Sequence, residues 1–242
     1  MMQLQWDGDG LIPGGVSEPE IVDSYLLRDG RVVGLSDHET RFAESLPEVD
    51  PVEFLVAVRE ALPTTGEWFP RVEWGAGELG VAIRPAPSLR DSSMLWLSDL
   101  VDPRRVPAIK GPDLKVLTHL RRIAMDYHCD DCLLIDLDGV VLEAANAAVV
   151  FWEDPATVIL PARRVLPSIT VQQTLPLWEA AGITVVHRDV RQLNLAAWCG
   201  SSLHGWTPVT HWGRGAGKIK AAPAPPVEGW NKALWAKQSE KV

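Results

Sequence analysis

Two Asp-Gly pairs, Asp29-Gly30 and Asp138-Gly139, each stand between short apolar runs, in "DSYLLRDGRVVGL" and "DCLLIDLDGVVLE". Asp-Gly readily takes the positive φ that a tight two-residue turn needs, so each pair marks a β-hairpin. A chain that doubles back this sharply builds antiparallel sheet. "FPRVEWGAGELGVAIRPAP" adds two more strands about a Gly-rich turn, and "SSMLWLSDLVDPRRVPAIK" another pair of extended segments.

Helices punctuate this pattern. "DPVEFLVAVREALP" and "LKVLTHLRRIAMDYH" carry apolar residues at helical spacing, with Asp50 as the N-cap of the first. "SITVQQTLPLWEAAG" is a third helix ending at Gly182, and Pro176 predicts a kink or a late start within it. "ITVVHRDV" reads as a strand, "RQLNLAAW" as a short helix, and "SSLHGWTPVTHW" as a turn leading into a strand. From Gly213 the chain turns Gly-, Ala- and Pro-rich, the composition of a linker, before a terminal helix over "WNKALWAKQ". Mixed helices and antiparallel strands predict an α+β fold. The boundaries fall at 1–106 for an N-terminal α+β domain, 107–212 for a second domain and 213–242 for a linker and tail.

Composition bounds the function. The chain has 242 residues, is 46% hydrophobic, and carries a formal net charge of −9, which argues against a nucleic-acid surface. No apolar run approaches the ~20 residues of a membrane span, and the N-terminus lacks the pattern of a signal peptide. Three cysteines, Cys129, Cys132 and Cys199, point to a reducing compartment without a disulfide framework, hence the cytoplasm. Eleven tryptophans imply buried aromatic surface or an interface.

Several motifs lead nowhere. "HCDDC" has one C-x-x-C and no second pair, so it marks a helix end and a strand start rather than a metal centre. "GRGAGKIK" lacks the glycine spacing of a phosphate loop, has Ile219 in place of a hydroxyl, and reads as flexible chain. No G-x-S-x-G elbow is present.

Four features share an anion-and-amine logic. Lys110 ends the apolar run "RRVPAIK"; Glu143 follows "DGVVL" and precedes small residues; Ser168-Ile169-Thr170 opens a helix; and Ser201-Ser202 begins a hydroxyl-rich turn. A helix N-terminus offers unpaired N–H groups to an anion. A lysine in apolar surroundings has its pKa lowered toward nucleophilic strength.

In this order the features resemble the class IV aminotransferases, the fold-type-IV pyridoxal-phosphate enzymes. The resemblance runs over about residues 20–212, and "DGVVLE" with "LPSIT" carries it most specifically. It implies a small N-terminal α/β sandwich-like domain and a larger C-terminal β-barrel-like, cofactor-binding domain with helices. It also implies pyridoxal 5'-phosphate as cofactor, an amino or keto acid as substrate, and a homodimer. His38 and Arg41 match the family's H-x-x-R, whose arginine binds the cofactor phosphate. Lys110 matches the lysine of the internal Schiff base, and Glu143 the glutamate against the pyridine nitrogen. Ser168, Ile169 and Thr170 match one phosphate-binding turn, and Ser201 and Ser202 the other. The family includes aminotransferases and 4-amino-4-deoxychorismate lyases, and a catalytically eroded binding relative is a third expectation. Four positions depart from the common pattern: Ser168 for glycine, Val171 for arginine, Ala148 where asparagine often stands, and Lys115 for an aromatic.

Overall fold

The computed structural model describes residues 1–98 and 100–242. The chain divides into two units: Met1–Leu89 with Ile109–Pro112 and Trp235–Val242, and Arg90–Ala108 with Asp113–Leu234.

In the first unit the chain forms β1 (Met2–Trp6), β2 (Leu11–Pro13), β3 (Ile21–Ser24), β4 (Leu27–Arg28) and β5 (Arg31–Val33). Then come α1 (Leu35–Ser45), α2 (Val52–Ala61), β6 (Glu67–Trp68), β7 (Arg71–Gly75) and β8 (Glu78–Ile83). One antiparallel sheet runs β2-β1-β8-β7-β3, and a second joins β5, β4 and β6. The Asp29-Gly30 hairpin forms as expected: Arg28 pairs with Arg31, and the two turn residues have φ of 46° and 70°. Leu27, Val32, Leu35, Phe42, Phe54 and Val58 make the core of this unit. Asp50 accepts the N–H of Val52 at 3.0 Å, but the helix itself is entered through Pro51.

In the second unit the order is β9 (Ser93–Leu97), α3 (Leu114–Asp126), β10 (Asp131–Ile135), β11 (Val141–Ala144), β12 (Ala148–Asp154) and β13 (Thr157–Leu160). It continues with α4 (Ile169–Ala180), β14 (Thr184–His187), β15 (Ala196–Ser201), β16 (Gly205–Arg214) and β17 (Gly217–Lys220). The sheet runs β11-β10-β9-β16-β15-β12-β13-β14, with β17 on β16. The helices α3 and α4 connect the parallel pairs β9/β10 and β13/β14, the connections that parallel strands require. Trp152, Trp178, Trp198 and Trp206 pack ring against ring, with centroids 4.6–6.4 Å apart, so these tryptophans are core.

Four local readings need correction. Residues 107–113 run through turns and bends rather than a strand. Pro103, Pro107 and Pro112 lack the N–H that a ladder needs, and the Asp113 carboxylate takes the N–H groups of Arg105 and Val106 at 2.9–3.1 Å. "RQLNLAAW" is not a helix: a turn leads straight into β15, whose residues pair with β12 from Ala196 onward. "GRGAGKIK" is a hairpin, because β17 pairs with the end of β16 from Gly217 to Lys220. α4 runs through Pro176 from Ile169, so there is no late start.

The terminal helix forms as α5 (Glu228–Gln238) and is followed by a strand absent from the sequence reading, β18 (Ser239–Lys241), which pairs with β5. No described helix is long and apolar enough to cross a membrane. The result is the expected α+β fold.

Candidate active site

α1 begins after Gly34, whose φ of 66° is left-handed, and it buries Leu35, His38 and Phe42 along one stripe. Arg41 lies three residues beyond His38 and shares that face. The stripe meets Asp23, on a strand whose four residues are all buried. Arg41 donates from Nε to Asp23 Oδ2 and from Nη2 to Oδ1, both at 2.8 Å. His38 Nδ1 lies 2.7 Å from Oδ1, and the Ser24 N–H reaches the same oxygen at 2.7 Å. Burial alone would raise the Asp23 pKa, but Arg41, His38 and Lys110 more than offset it and hold the carboxyl at about 2. An ionised carboxylate only accepts, so His38 Nδ1 carries the proton. Burial pushes the His38 pKa down, against the pull of Asp23, which keeps the ring neutral. Its Nε2 is buried with no hydrogen-bond partner among the described residues.

Lys110 belongs to the same unit as this cluster. It sits in a bend rather than at a strand end, yet it is fixed: its carbonyl accepts the N–H of Val22 at 2.9 Å. The next residue, Gly111, has φ of 139°, and a Cβ there would come 2.2 Å from the Glu20 carbonyl oxygen. Only glycine allows this approach, and it holds Lys110 alongside β3, the strand that carries Asp23.

The second unit holds the other candidates. Glu143, on β11, is buried. Arg104 donates from Nη1 to Glu143 Oε1 at 2.6 Å, and the Leu166 N–H reaches that oxygen at 2.9 Å. Arg104 is itself gripped by Asp102, from Nε at 2.9 Å and Nη2 at 2.8 Å. The structure therefore joins Glu143 to the segment that leads into Ser168. Ser168 is the N-cap of α4, and its Oγ accepts the Val171 N–H at 3.4 Å. With φ of −78° this position does not require glycine. Ile169 and Thr170, both buried, open the helix, where N–H groups have no acceptor within it.

The hydroxyl turn is tied to the same helix. Thr174 donates to the Thr170 carbonyl at 2.6 Å and accepts the Trp206 Nε1–H at 2.8 Å. Trp206 lies just beyond the turn, where the Ser201 Oγ accepts the His204 N–H at 3.2 Å. Ser202 stands half-buried in that turn. Asn146 is anchored on buried Asp131 through its N–H at 3.0 Å, Ala148 opens β12, and Lys115 is exposed on α3.

Sequence reasoning missed Asp23, Asp102 and Arg104. Asp23 had a legible signal, an acid inside the apolar run "EIVDSYLL". Arg104 had none: an Asp two residues before an Arg is an ordinary pattern, and its other partner, Glu143, lies 39 residues further on.

A model of the class IV amino-transferases matches residues 20–212. No curated protein matches the sequence. Among solved structures, a hypothetical aminotransferase from Mycobacterium tuberculosis in its PLP-bound form superposes with a TM-score of 0.77 at 20% identity, over 97% of each chain. Another form of that aminotransferase binds alpha-ketoglutarate and PMP. A fold IV-transaminase from Curtobacterium pusillum gives 0.78 at 18% identity, over 98% of this chain and 97% of that one. An aminotransferase from Brucella abortus, bound to the co-factor PLP, gives 0.76 at 14% identity, over 98% of this chain and 99% of that one. The buried Asp23–Arg41 and Arg104–Glu143 pairs thus sit on a fold-type-IV framework, and the match over residues 20–212 makes the assignment: the chain belongs to the class IV aminotransferase family.

Proposed function

We propose that this chain is a pyridoxal-phosphate-dependent aminotransferase that moves an amino group between an amino acid and a keto acid. The observation that carries the reading is the placement of Lys110: a lysine fixed beside the strand of Asp23, which in turn holds Arg41. The residues present fit the cofactor. Glu143 is a buried carboxylate suited to a protonated ring nitrogen, and the start of α4 with the Ser201–Ser202 turn is suited to a phosphate.

Bound cofactor supplies an aldehyde carbon that takes up amines and a ring that draws electron density from them. The chain supplies the rest. Lys110 Nζ is the amine that would hold that aldehyde and would accept and return the proton at substrate Cα. The Glu143 carboxylate would favour a proton on the ring nitrogen. Arg41, by its guanidinium, and Ser168, Ile169, Thr170, Ser201 and Ser202, by hydroxyl and N–H groups, are of the types that would serve a phosphate. Arg104 and the Leu166 N–H keep the Glu143 side chain oriented. Homodimer formation belongs to the same proposal and is read by sedimentation.

The test is direct. Wild type mixed with pyridoxal phosphate should gain visible absorbance that borohydride bleaches, leaving the added mass on the Lys110 peptide. Lys110→Ala should show neither. With 2-oxoglutarate and a panel of amino acids, wild type should produce glutamate. Release of 4-aminobenzoate from aminodeoxychorismate without any keto acid would assign the chain to the lyases instead.

A further inference from the structure

We propose that Asn231 is a positioning residue: from the C-terminal helix it fixes the hydroxyl turn, residues 201–204, for a phosphate. This rests on the cofactor reading above. The turn closes the β15–β16 hairpin, in which Ser201 faces Gly205 and Gly200 faces Trp206. Along its other edge, among the described residues, β16 pairs with β9 only from Val209 onward. At Trp206, Asn231 takes the place of a strand. Its Oδ1 accepts the Trp206 N–H and its Nδ2 donates to the Trp206 carbonyl, both at 2.8 Å. One primary amide thus meets both main-chain groups of one residue, as a neighbouring strand would. The segment before α5 is pinned by Trp198, whose Nε1–H reaches the Pro225 carbonyl at 2.8 Å.

Two glycines make room for this clamp. A Cβ at Gly205 would come 2.6 Å from Asn231 Oδ1, and one at Gly200 would come 2.5 Å from the Trp206 ring. The far end of the indole is fixed as well: Nε1–H donates to Thr174 Oγ1 at 2.8 Å, and Thr174 donates to the Thr170 carbonyl at 2.6 Å. Trp206 is therefore held at its main chain by α5 and at its ring by the first turns of α4. Asn231 completes the grip that sets the hydroxyl turn against residues 168–170, the other phosphate element of the proposed function. A turn ordered in advance loses little freedom when a ligand binds, whereas a mobile one is ordered at the expense of affinity.

The experiment uses the full chain as wild type, Asn231→Ala and Asn231→Asp. In cofactor-free protein, Asn231→Ala should speed amide exchange in the peptide over residues 201–206 and leave the β12 peptide unchanged. Quenching of tryptophan fluorescence then gives affinities for pyridoxal phosphate and for pyridoxal, which lacks the phosphate. Asn231→Ala should weaken pyridoxal phosphate binding about tenfold and pyridoxal binding less than about twofold, the mark of a lost preordered phosphate contact. Asn231→Asp keeps the acceptor and loses the donor, so its loss should fall between wild type and Asn231→Ala. If Asn231→Ala does not fold, Asn231→Asp decides by the same criteria. Unchanged exchange over residues 201–206 overturns the proposal, as does unchanged pyridoxal phosphate affinity or an equal loss for pyridoxal. Borohydride trapping on wild-type Lys110 separates the two levels. No trapping overturns the cofactor reading and this inference together. Trapping, with a preference for pyridoxal phosphate that Asn231→Ala retains in full, overturns only the role of Asn231.

Discussion

Arg104 donates to Glu143 across 2.6 Å while Asp102 holds the other edge of the same guanidinium. Buried Glu143 and half-buried Asp102 thus share one cation whose side chain is 4% exposed. Removing one member of a buried ion pair leaves an uncompensated charge and costs roughly 3–5 kcal/mol. Arg104→Met should therefore lower stability by about that amount in urea unfolding. Glu143→Gln keeps the size and removes the carboxylate charge that the proposed function assigns to the ring nitrogen. It should lower kcat by about 100-fold with cofactor affinity less affected, in steady-state kinetics alongside a cofactor titration.

Gly111 is the backbone device that seats Lys110. Gly111→Ala places a methyl 2.2 Å from the Glu20 carbonyl oxygen and 2.7 Å from Ile21 Cα, at a φ of 139°. Either Lys110 or β3 must move. We expect a loss of at least ~2 kcal/mol in unfolding experiments, and a fall in borohydride trapping on Lys110 even where the variant is folded.

His204 gives the fold an acid-sensitive window. Burial, then the charges of Arg90 and Arg121, push its pKa down from 6.5 to about 4, against the opposing pull of Asp130. The unfolded chain takes the proton first, so stability is full above about pH 6.5 and falls as pH drops toward about 4. Asp23 adds a second window below it: its carboxyl is depressed from 3.8 to about 2, so its contribution is present above about 4 and is lost as pH falls through about 2. His204→Gln should flatten the upper window in pH-dependent thermal melts, and Asp23→Asn the lower one.

The last residues cap the helix that carries His38 and Arg41. Gly34 offers no side chain at the N-cap, and the Glu240 carboxylate accepts the Ser36 N–H at 3.2 Å instead. A missing cap of this kind costs about 1 kcal/mol. Deleting residues 239–242 also removes the pairing of β18 with β5. The truncated chain should melt lower, and Glu240→Gln should retain part of the difference.

Thr174 links the start of α4 to Trp206. Thr174→Val keeps the shape but leaves the buried indole N–H without its acceptor, which should cost about 1–3 kcal/mol in chemical unfolding.

Elements whose cause is local were legible. Asp29-Gly30 demands its hairpin through positive φ, and the apolar spacing of "DPVEFLVAVREALP" gives α2. Elements decided by a distant partner were not. Val106 and its neighbours carry the composition of a strand, but Asp113 captures their N–H groups. Gly217–Lys220 reads as a linker and becomes a strand because the end of β16 offers it an edge.

The same division holds at the site. Order and spacing along one chain were enough to show which residue types stand where: a lysine before Gly-Pro, a glutamate among small residues, a hydroxyl at a helix start. That Asp23 grips Arg41, and that Arg104 bridges Asp102 and Glu143, emerged from the folded chain alone. A buried charge is stable only beside its counter-charge, and that pairing is set by how strands and helices pack, over separations of 18 and 39 residues that no local pattern records.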